Sequence, residues 1–494
     1  MIILILLVYG LALFFVFAYS LTQLQLVLKY RKYSKAAKQR NEIAIQTDFF
    51  PKVTIQLPIF NEHYVAERLL DQVAKIDYPA ELLEIQLLDD STDDTKILLQ
   101  HKTKEWLEKG VNVVHIHREA RSGFKAGALA EGLKMASGEF IAIFDADFMP
   151  SKDFLKRMMP HFKNTSVGMV QSRWEHLNRN YSKLTALQAF GLDAHFSVEQ
   201  GGRNYGNHFI NFNGTAGIWR KSTIEDAGGW QSDTLTEDLD LSYRAQLKTW
   251  KFVFVEEVGA PAELPATMNA LKTQQFRWNK GAAECVRKNL GKVLRNRKLT
   301  FSTKLNAVFH LMNSSVFIAI FILAVLSLPV LLIKSQHLEY TYLFNLAGLF
   351  LLSLPILAIF YWHSLQKNHD NKREALYNFI KLFPLFLSVS MGLSLHNSWA
   401  VFEGYIGKKT PFLRTPKFNL SNQKDKKWTD NRYLKRKISP LAFLEIFMAM
   451  YFLFGIFLAF YLKDYGLLPF HLMLFFGFSY VAYYSIAHGI KVAK

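Results

Sequence analysis

The chain has 494 residues, 50% of them hydrophobic and 15% aromatic, enough for more than one domain. Its formal charge of +18 comes from 59 Lys and Arg against 41 Asp and Glu. Much of that excess lies beside apolar segments, where it meets anionic lipid headgroups, so nucleic acid is not expected as a partner, and the lone Cys285 excludes an internal disulfide and a cysteine metal cluster.

Residues 1–28 are almost wholly apolar, and a helix crosses the hydrocarbon core with ~20 such residues. No basic region precedes the run and no small-residue cleavage site follows it, so an uncleaved membrane anchor is expected rather than a signal peptide. Residues 29–40 hold six basic residues and no acid, which predicts a cytoplasmic flank.

Residues 41–284 have the mixed composition of a soluble domain. β-like runs at 53–57, 83–88, 111–117 and 140–144 alternate with helical spacing at 62–76, 93–107 and 123–135. Repeated βαβ units predict a parallel sheet covered by helices, with ligands bound beyond the carboxyl ends of the strands.

Acids stand at those ends. The second run closes on Asp89-Asp90-Ser91 before Asp93 and Asp94. A helix N-cap explains Ser91 or Asp93, whereas Asp89 and Asp90 can accept hydrogen bonds from a base and ribose. The fourth run ends in Asp145-Ala146-Asp147. This spacing fits a turn, and it also fits a hard divalent cation bridging diphosphate oxygens. Between them, Arg118, Arg121 and Lys125, with Gly123 and Gly127, open a helical stretch. Such a helix start favours phosphate and reads equally as a solvated basic turn; Lys125 is the member expected to bind.

Thr236-Glu237-Asp238-Leu239-Asp240 places three acids just before the helical run 241–247. Acids at a helix start complement its dipole. Transfer to a hydroxyl also needs a base for the proton, for which Asp238 is the candidate and Glu237 the second. Arg277 and Trp278 then introduce a basic amphipathic stretch at 285–302, expected as a helix in the membrane interface. Arg277 fits that helix or a diphosphate, and Trp278 offers a flat apolar face to a sugar ring.

Residues 305–494 are the expected C-terminal membrane region, with four spans at 305–333, 342–362, 441–462 and 467–490. The stretch 376–405 is apolar but broken by Lys381, His396, Asn397 and Glu403, and is expected to be interfacial, re-entrant or two short crossings. The loop 407–438 holds eleven basic residues against Asp425 and Asp430, which predicts a cytoplasmic position and puts the soluble domain on the same side.

The order of these motifs resembles the membrane-bound family 2 glycosyltransferases, the group containing cellulose, hyaluronan and chitin synthases. Leu57-Pro58-Ile59-Phe60-Asn61-Glu62 looks like the nucleotide-loop opening, Asp89-Asp90-Ser91 like the base-binding acids, Asp145-x-Asp147 like the metal motif, Thr236-Glu237-Asp238 like the catalytic triplet and Gln274-x-x-Arg277-Trp278 like the Q-x-x-R-W signature. Val170–Trp174, Phe212–Arg220 and Ala227–Trp230 are similar to the central blocks of plant cellulose synthase-like A and C proteins, which make mannan, glucomannan and the glucan backbone of xyloglucan. The resemblance covers residues 53–289. One departure from the bacterial cellulose synthase pattern is Asn213-Gly214-Thr215 in place of Cys-Gly-Thr.

The resemblance implies an α/β GT-A (Rossmann-like) cytoplasmic domain inserted between transmembrane helices of a multi-pass protein, in the inner or plasma membrane if the source is a bacterium. It implies an inverting transfer with Mg2+ or Mn2+ on Asp145 and Asp147 and Asp238, backed by Glu237, as base. Pro58, Asn61, Glu62, Asp89, Asp90, Lys125, Gln274 and Arg277 would hold the nucleotide and diphosphate, and Trp278, Asn213, Gly214 and Thr215 the acceptor. The expected donor is GDP-mannose or UDP-glucose and the expected product a β-1,4 polysaccharide; single addition to a lipid acceptor, as in ceramide glucosyltransferases, is the alternative. Neither a homo-oligomer nor an export partner is legible in the sequence.

Overall fold

The computed structural model describes residues 1–45, 48–367, 371–420, 428–434 and 438–491. Helix α1 (Ile2–Ile45) does not stop where the apolar run ends. The stretch 29–40, rich in the good helix formers Lys, Arg and Ala, continues it past residue 28.

The soluble part follows as β1 (Val53–Ile59), α2 (Ala66–Val73), β2 (Leu83–Asp89), α3 (Thr95–Glu108), β3 (Val113–His117), α4 (Phe124–Met135), β4 (Phe140–Ile143), α5 (Phe154–Met158), β5 (Val167–His176), α6 (Lys183–Ala194), α7 (Gln200–Tyr205), β6 (Gly217–Arg220), α8 (Lys221–Asp226), α9 (Glu237–Leu247) and β7 (Lys251–Ala262). One seven-stranded sheet forms in the order β3-β2-β1-β4-β6-β5-β7. The first four strands in the chain are mutually parallel and β6 is antiparallel to both its neighbours. Pro58 is tolerated inside β1 because pairing with β4 ends at Gln56, so no ladder bond on that side needs its missing N–H.

Strand residues alternate between two buried faces. Val53, Ile55, Leu57, Phe140 and Ala142 pack on one side, and Leu88, Ile141 and Ile143 on the other with Leu129, Phe212 and Trp219. Burial on both faces makes β4 a continuous apolar run, while β1 and β2 bury Thr54 and Gln56 against Glu84 and Gln86. Register sets Ile59 beside Asp89, so the parallel strands deliver their carboxyl ends to one edge.

Then come α10 (Met268–Arg295), α11 (Phe301–Leu311), α12 (Ser315–Gln336), α13 (Thr341–Ala347), α14 (Ser353–Lys367), α15 (Lys372–Gly392), α16 (Ser394–Ile406), α17 (Leu441–Leu462) and α18 (Leu468–Lys491). The stretch 285–302 is divided: its first part is the end of α10 and its last residues begin α11, which Thr300 caps by accepting the Thr303 N–H. The stretch 376–405 forms parts of α15 and α16, joined at Leu393. Gly392 sits against the Gly477 backbone of α18, and α16 lies along α10 so closely that a Cβ on Gly404 would come 2.6 Å from the Lys280 carbonyl oxygen.

Among the described residues six helices are long and apolar enough to cross a membrane: Ile2–Ile43, Ser315–Gln336, Leu338–Lys367, Lys372–Gly392, Leu441–Leu462 and Leu468–Ile490. They flank the α/β domain, an arrangement consistent with a membrane protein. Residues 421–427 and 435–437 of the expected basic loop lie outside the described residues.

Candidate active site

A cavity of about 170 Å³ opens at the strand-end edge. Asp90 enters it from the end of β2, held by Arg118 through Nε at 2.7 Å and Nη2 at 2.6 Å. Beside it the Arg121 guanidinium stacks 3.4 Å from the centre of the Phe60 ring. Asp89 does not reach the cavity. It is fully buried, accepts the Ser91 N–H at 2.8 Å and faces His115 and His117 at 3.0 and 3.2 Å, so it ties β2 to β3. Burial alone would raise its carboxyl; the hydrogen bonds from His115 and Ser91 outweigh that and hold it below the usual range. Asn61 is also outside the lining. With φ at 53° it shapes the turn after β1, its N–H bonded to Ser91 Oγ and its Oδ1 accepting the Thr92 N–H.

Beyond β4, Asp145 and Asp147 point into the cavity. Asp145 accepts a hydrogen bond from Lys125 Nζ at 2.6 Å, and the same ammonium reaches the Gly214 carbonyl at 2.8 Å. The partners of Lys125 overcome the cost of burying it and raise its pKa, so it stays charged. Asp147 is 2% exposed; its Oδ2 accepts from the Glu263 N–H and from Lys417 Nζ, while its Oδ1 is buried without a partner among the described residues. Burial pushes both Glu62 and Glu263, beside Asp147, up to about 7.

Glu237 and Asp238 form the first turn of α9. Asp238 Oδ1 accepts the Leu239 N–H, leaving Oδ2 toward Gly214, where an added Cβ would lie 3.0 Å away. Burial and then the Glu237 charge push the Asp238 carboxyl up to about 7, and burial also raises Glu237. The loop beneath is set from behind: Thr215 Oγ1 accepts the Asp145 N–H at 2.8 Å, which keeps Thr215 out of the cavity, while Asn213 and Gly214 line it. Asp240 has structural work instead, bound by Arg244, Lys288 and Asn289.

Helix α10 supplies Gln274, Arg277 and Trp278 to the opposite wall. Arg277 donates to the Leu413 carbonyl and to Thr415 Oγ1 at 2.8 Å, and burial lowers it to about 10. Trp278 lies 6.5 Å from Trp174, centre to centre.

Pro58, Glu62, Asp90, Lys125, Asp145, Asp147, Asn213, Gly214, Glu237, Asp238, Gln274, Arg277 and Trp278 thus share one cavity, and Asn61, Asp89 and Thr215 support it from outside. Phe412, Arg414, Thr415 and Lys417 also line it and were missed from the sequence. Arg414 pairs with Glu62 at 2.6 Å and Lys417 with Asp147 at 2.7 Å. Their only sequence signal was the basic character of 407–438, which reads as membrane topology.

Residues 51–281, from just before β1 into α10 and spanning the whole seven-stranded sheet, match the family described as glycosyltransferase like family 2. Glucomannan 4-beta-mannosyltransferase 1 of Oryza sativa subsp. japonica is 43% identical over 269 residues, covering 53% of this chain and 52% of that one. Glucomannan 4-beta-mannosyltransferase 2 of Arabidopsis thaliana is 42% identical over 265 residues, covering 53% and 50%. The chain therefore spans about half the length of the curated relatives it matches. Among solved structures, the mannosyltransferase PcManGT from Pyrobaculum calidifontis, in complex with GDP-Man and Mn2+, aligns with a TM-score of 0.48 at 17% identity, over 80% of this chain and 100% of that chain.

Proposed function

We propose that this protein is a membrane-embedded, inverting, metal-dependent hexosyltransferase that extends a β-linked, β-1,4 polysaccharide from GDP-mannose or UDP-glucose and feeds it into the membrane part. The observation that carries the reading is the convergence of Asp145, Asp147, Lys125, Asp238 and Arg277 on one cavity at the ends of parallel strands. The names of the plant relatives favour mannose as the sugar and a β-mannan as the product. The cavity domain is cytoplasmic on this reading, where nucleotide sugars are available and where the basic flanks 29–40 and 407–438 are retained.

Mg2+ or Mn2+ fits Asp145 and Asp147. Asp147 Oδ1 is a buried oxygen without a partner among the described residues, and its Oδ2 already accepts an ammonium, which makes the position a seat for positive charge. Among the described residues no group of three or more His, Cys, Asp or Glu is arranged to hold a metal, so phosphate oxygens and water would complete the shell. When bound, the cation neutralises charge on the departing nucleoside diphosphate.

The protein's own groups do the rest. Lys125 clamps the Gly214 loop against Asp145, Arg277 turns a guanidinium to the diphosphate, and Trp278 gives the acceptor sugar a flat face. Asp238, next to Gly214, takes the proton of the acceptor hydroxyl as its oxygen bonds to the anomeric carbon and the bond from that carbon to phosphate breaks.

The test is incubation of the purified protein in nanodiscs with Mn2+ or Mg2+ and, separately, radiolabelled GDP-mannose, UDP-glucose and UDP-N-acetylglucosamine, with sizing of the product. A long product cut by a β-mannanase or β-glucanase supports the reading and names the donor. Label confined to a small organic-extractable species replaces it with lipid glycosylation.

A further inference from the structure

Two buried ion pairs outside the cavity have no part in the chemistry above. Lys272 Nζ lies 2.6 Å from Glu445 Oε1 of α17 and donates to Ser485 Oγ of α18 at 2.7 Å. Lys280 Nζ lies 3.2 Å from Glu403 Oε2 of α16 and donates to Thr410 Oγ1 at 2.8 Å. Lys280 is fully buried, Glu445 fully buried, and Lys272 and Glu403 nearly so. A third tie, the His396 ring on the Lys272 carbonyl at 2.9 Å, joins α16 to the same turn of α10.

Both lysines belong to the helix that carries Gln274, Arg277 and Trp278. At about 100° and 1.5 Å per residue, Lys272 and Lys280 are ~12 Å apart along α10 and ~80° apart around it. On the same count Gln274, Arg277 and Trp278 centre at ~190° from Lys272, on the face opposite the two lysines. Two anchors at different heights and different angles remove both sliding and rotation, which one anchor does not. Beyond Lys280 the helix is fastened to the catalytic turn itself: Glu284 accepts the Leu235 N–H at 2.7 Å, and a Cβ on Gly281 would press on Thr236 at 2.6 Å.

Stability does not account for the charges, since replacing a buried ion pair by well-packed apolar residues is often neutral or stabilising. The best-attested role of such a buried, directional contact is to select one register. We infer that Lys272 and Lys280 are positioning residues: paired with Glu445 and Glu403, they set the rotation of α10 so that Arg277 and Trp278 face the cavity. This ties α16 and the candidate membrane helices α17 and α18 to the donor and acceptor site. The inference rests on the reading of Gln274, Arg277 and Trp278 as ligand-binding residues.

The experiment uses the full chain in nanodiscs and three double variants: Lys272→Met with Glu445→Leu, Lys280→Met with Glu403→Gln, and the exchange Lys272→Glu with Glu445→Lys. Three quantities are read: the thermal midpoint, binding of GDP and of UDP in the presence of Mn2+, and kcat and KM for donor. The two neutralised pairs should keep the wild-type midpoint within a few degrees yet lose ~10- to 100-fold in kcat, the cost of a misplacement near 1 Å, with weaker nucleotide binding. The exchanged pair should recover most of that loss. Unchanged kcat and nucleotide affinity in both neutralised pairs would overturn the inference, as would a loss that merely follows a fallen midpoint and is not restored by the exchange. Wild-type protein that binds neither nucleotide would overturn the underlying ligand-binding reading instead.

Discussion

The acidic wall of the cavity and the basic wall facing it are built in different ways. Asp90, Asp145 and Asp147 follow directly from strand ends, and Asp238 from a helix start, so the backbone of the sheet and its attached helices aims them. Arg277, Arg414 and Lys417 come from a long helix and from a segment without regular structure that follows α16. The acids are placed by the sheet and its attached helices; Arg414 and Lys417 are held by the acids they meet, Glu62 and Asp147, and Arg277 by the Leu413 carbonyl and Thr415. If the acids carry the proposed chemistry, a small displacement of that wall is costly.

Substitutions separate the two walls by the size and kind of their effects. Asp238→Asn should lower sugar transfer by ~10²- to 10⁴-fold, the usual worth of a positioned acid or base. Nucleotide binding should be nearly intact in that variant; initial rates and equilibrium binding on one preparation check this. Asp147→Asn should cost at least ~100-fold in transfer, consistent with several kcal/mol of charge stabilisation, and should abolish Mn2+ binding followed by electron paramagnetic resonance. Gly214→Ala acts through geometry: with φ at +77° and Asp238 Oδ2 3.0 Å from the new Cβ, it should lower stability by ~1–2 kcal/mol and kcat a few-fold. Melting curves beside steady-state rates measure both.

The same contrast explains what was legible in the sequence. Strand–helix alternation and acids at strand ends are local patterns, so β1, β2, β3 and β4 and the cluster of Asp90, Asp145, Asp147 and Asp238 could be read from short windows. Asp89 was not separable from Asp90 that way. Only the neighbouring strand β3, bringing His115 and His117, reveals that Asp89 is a buried tie. Thr215 likewise sits in the expected loop but spends its hydroxyl on the Asp145 N–H. Arg414 and Lys417 were hidden by a different competition, because a basic loop between apolar segments carries the topology signal and its approach to Glu62 and Asp147 is a long-range contact. The division of 285–302 between α10 and α11 turns on the Thr300 cap, a boundary that amphipathic spacing does not mark.

The pH dependence of the transfer rate tests the central claim most directly. The ionised carboxylate is the form that accepts the acceptor's proton, and burial with the adjacent Glu237 charge pushes the Asp238 carboxyl up to about 7. Transfer at saturating donor should therefore rise with pH, about tenfold per unit, up to pH ~7 and level off above it. A rate that is flat from pH ~5 to ~8, well above the ordinary Asp range near 4, would contradict Asp238 as the base.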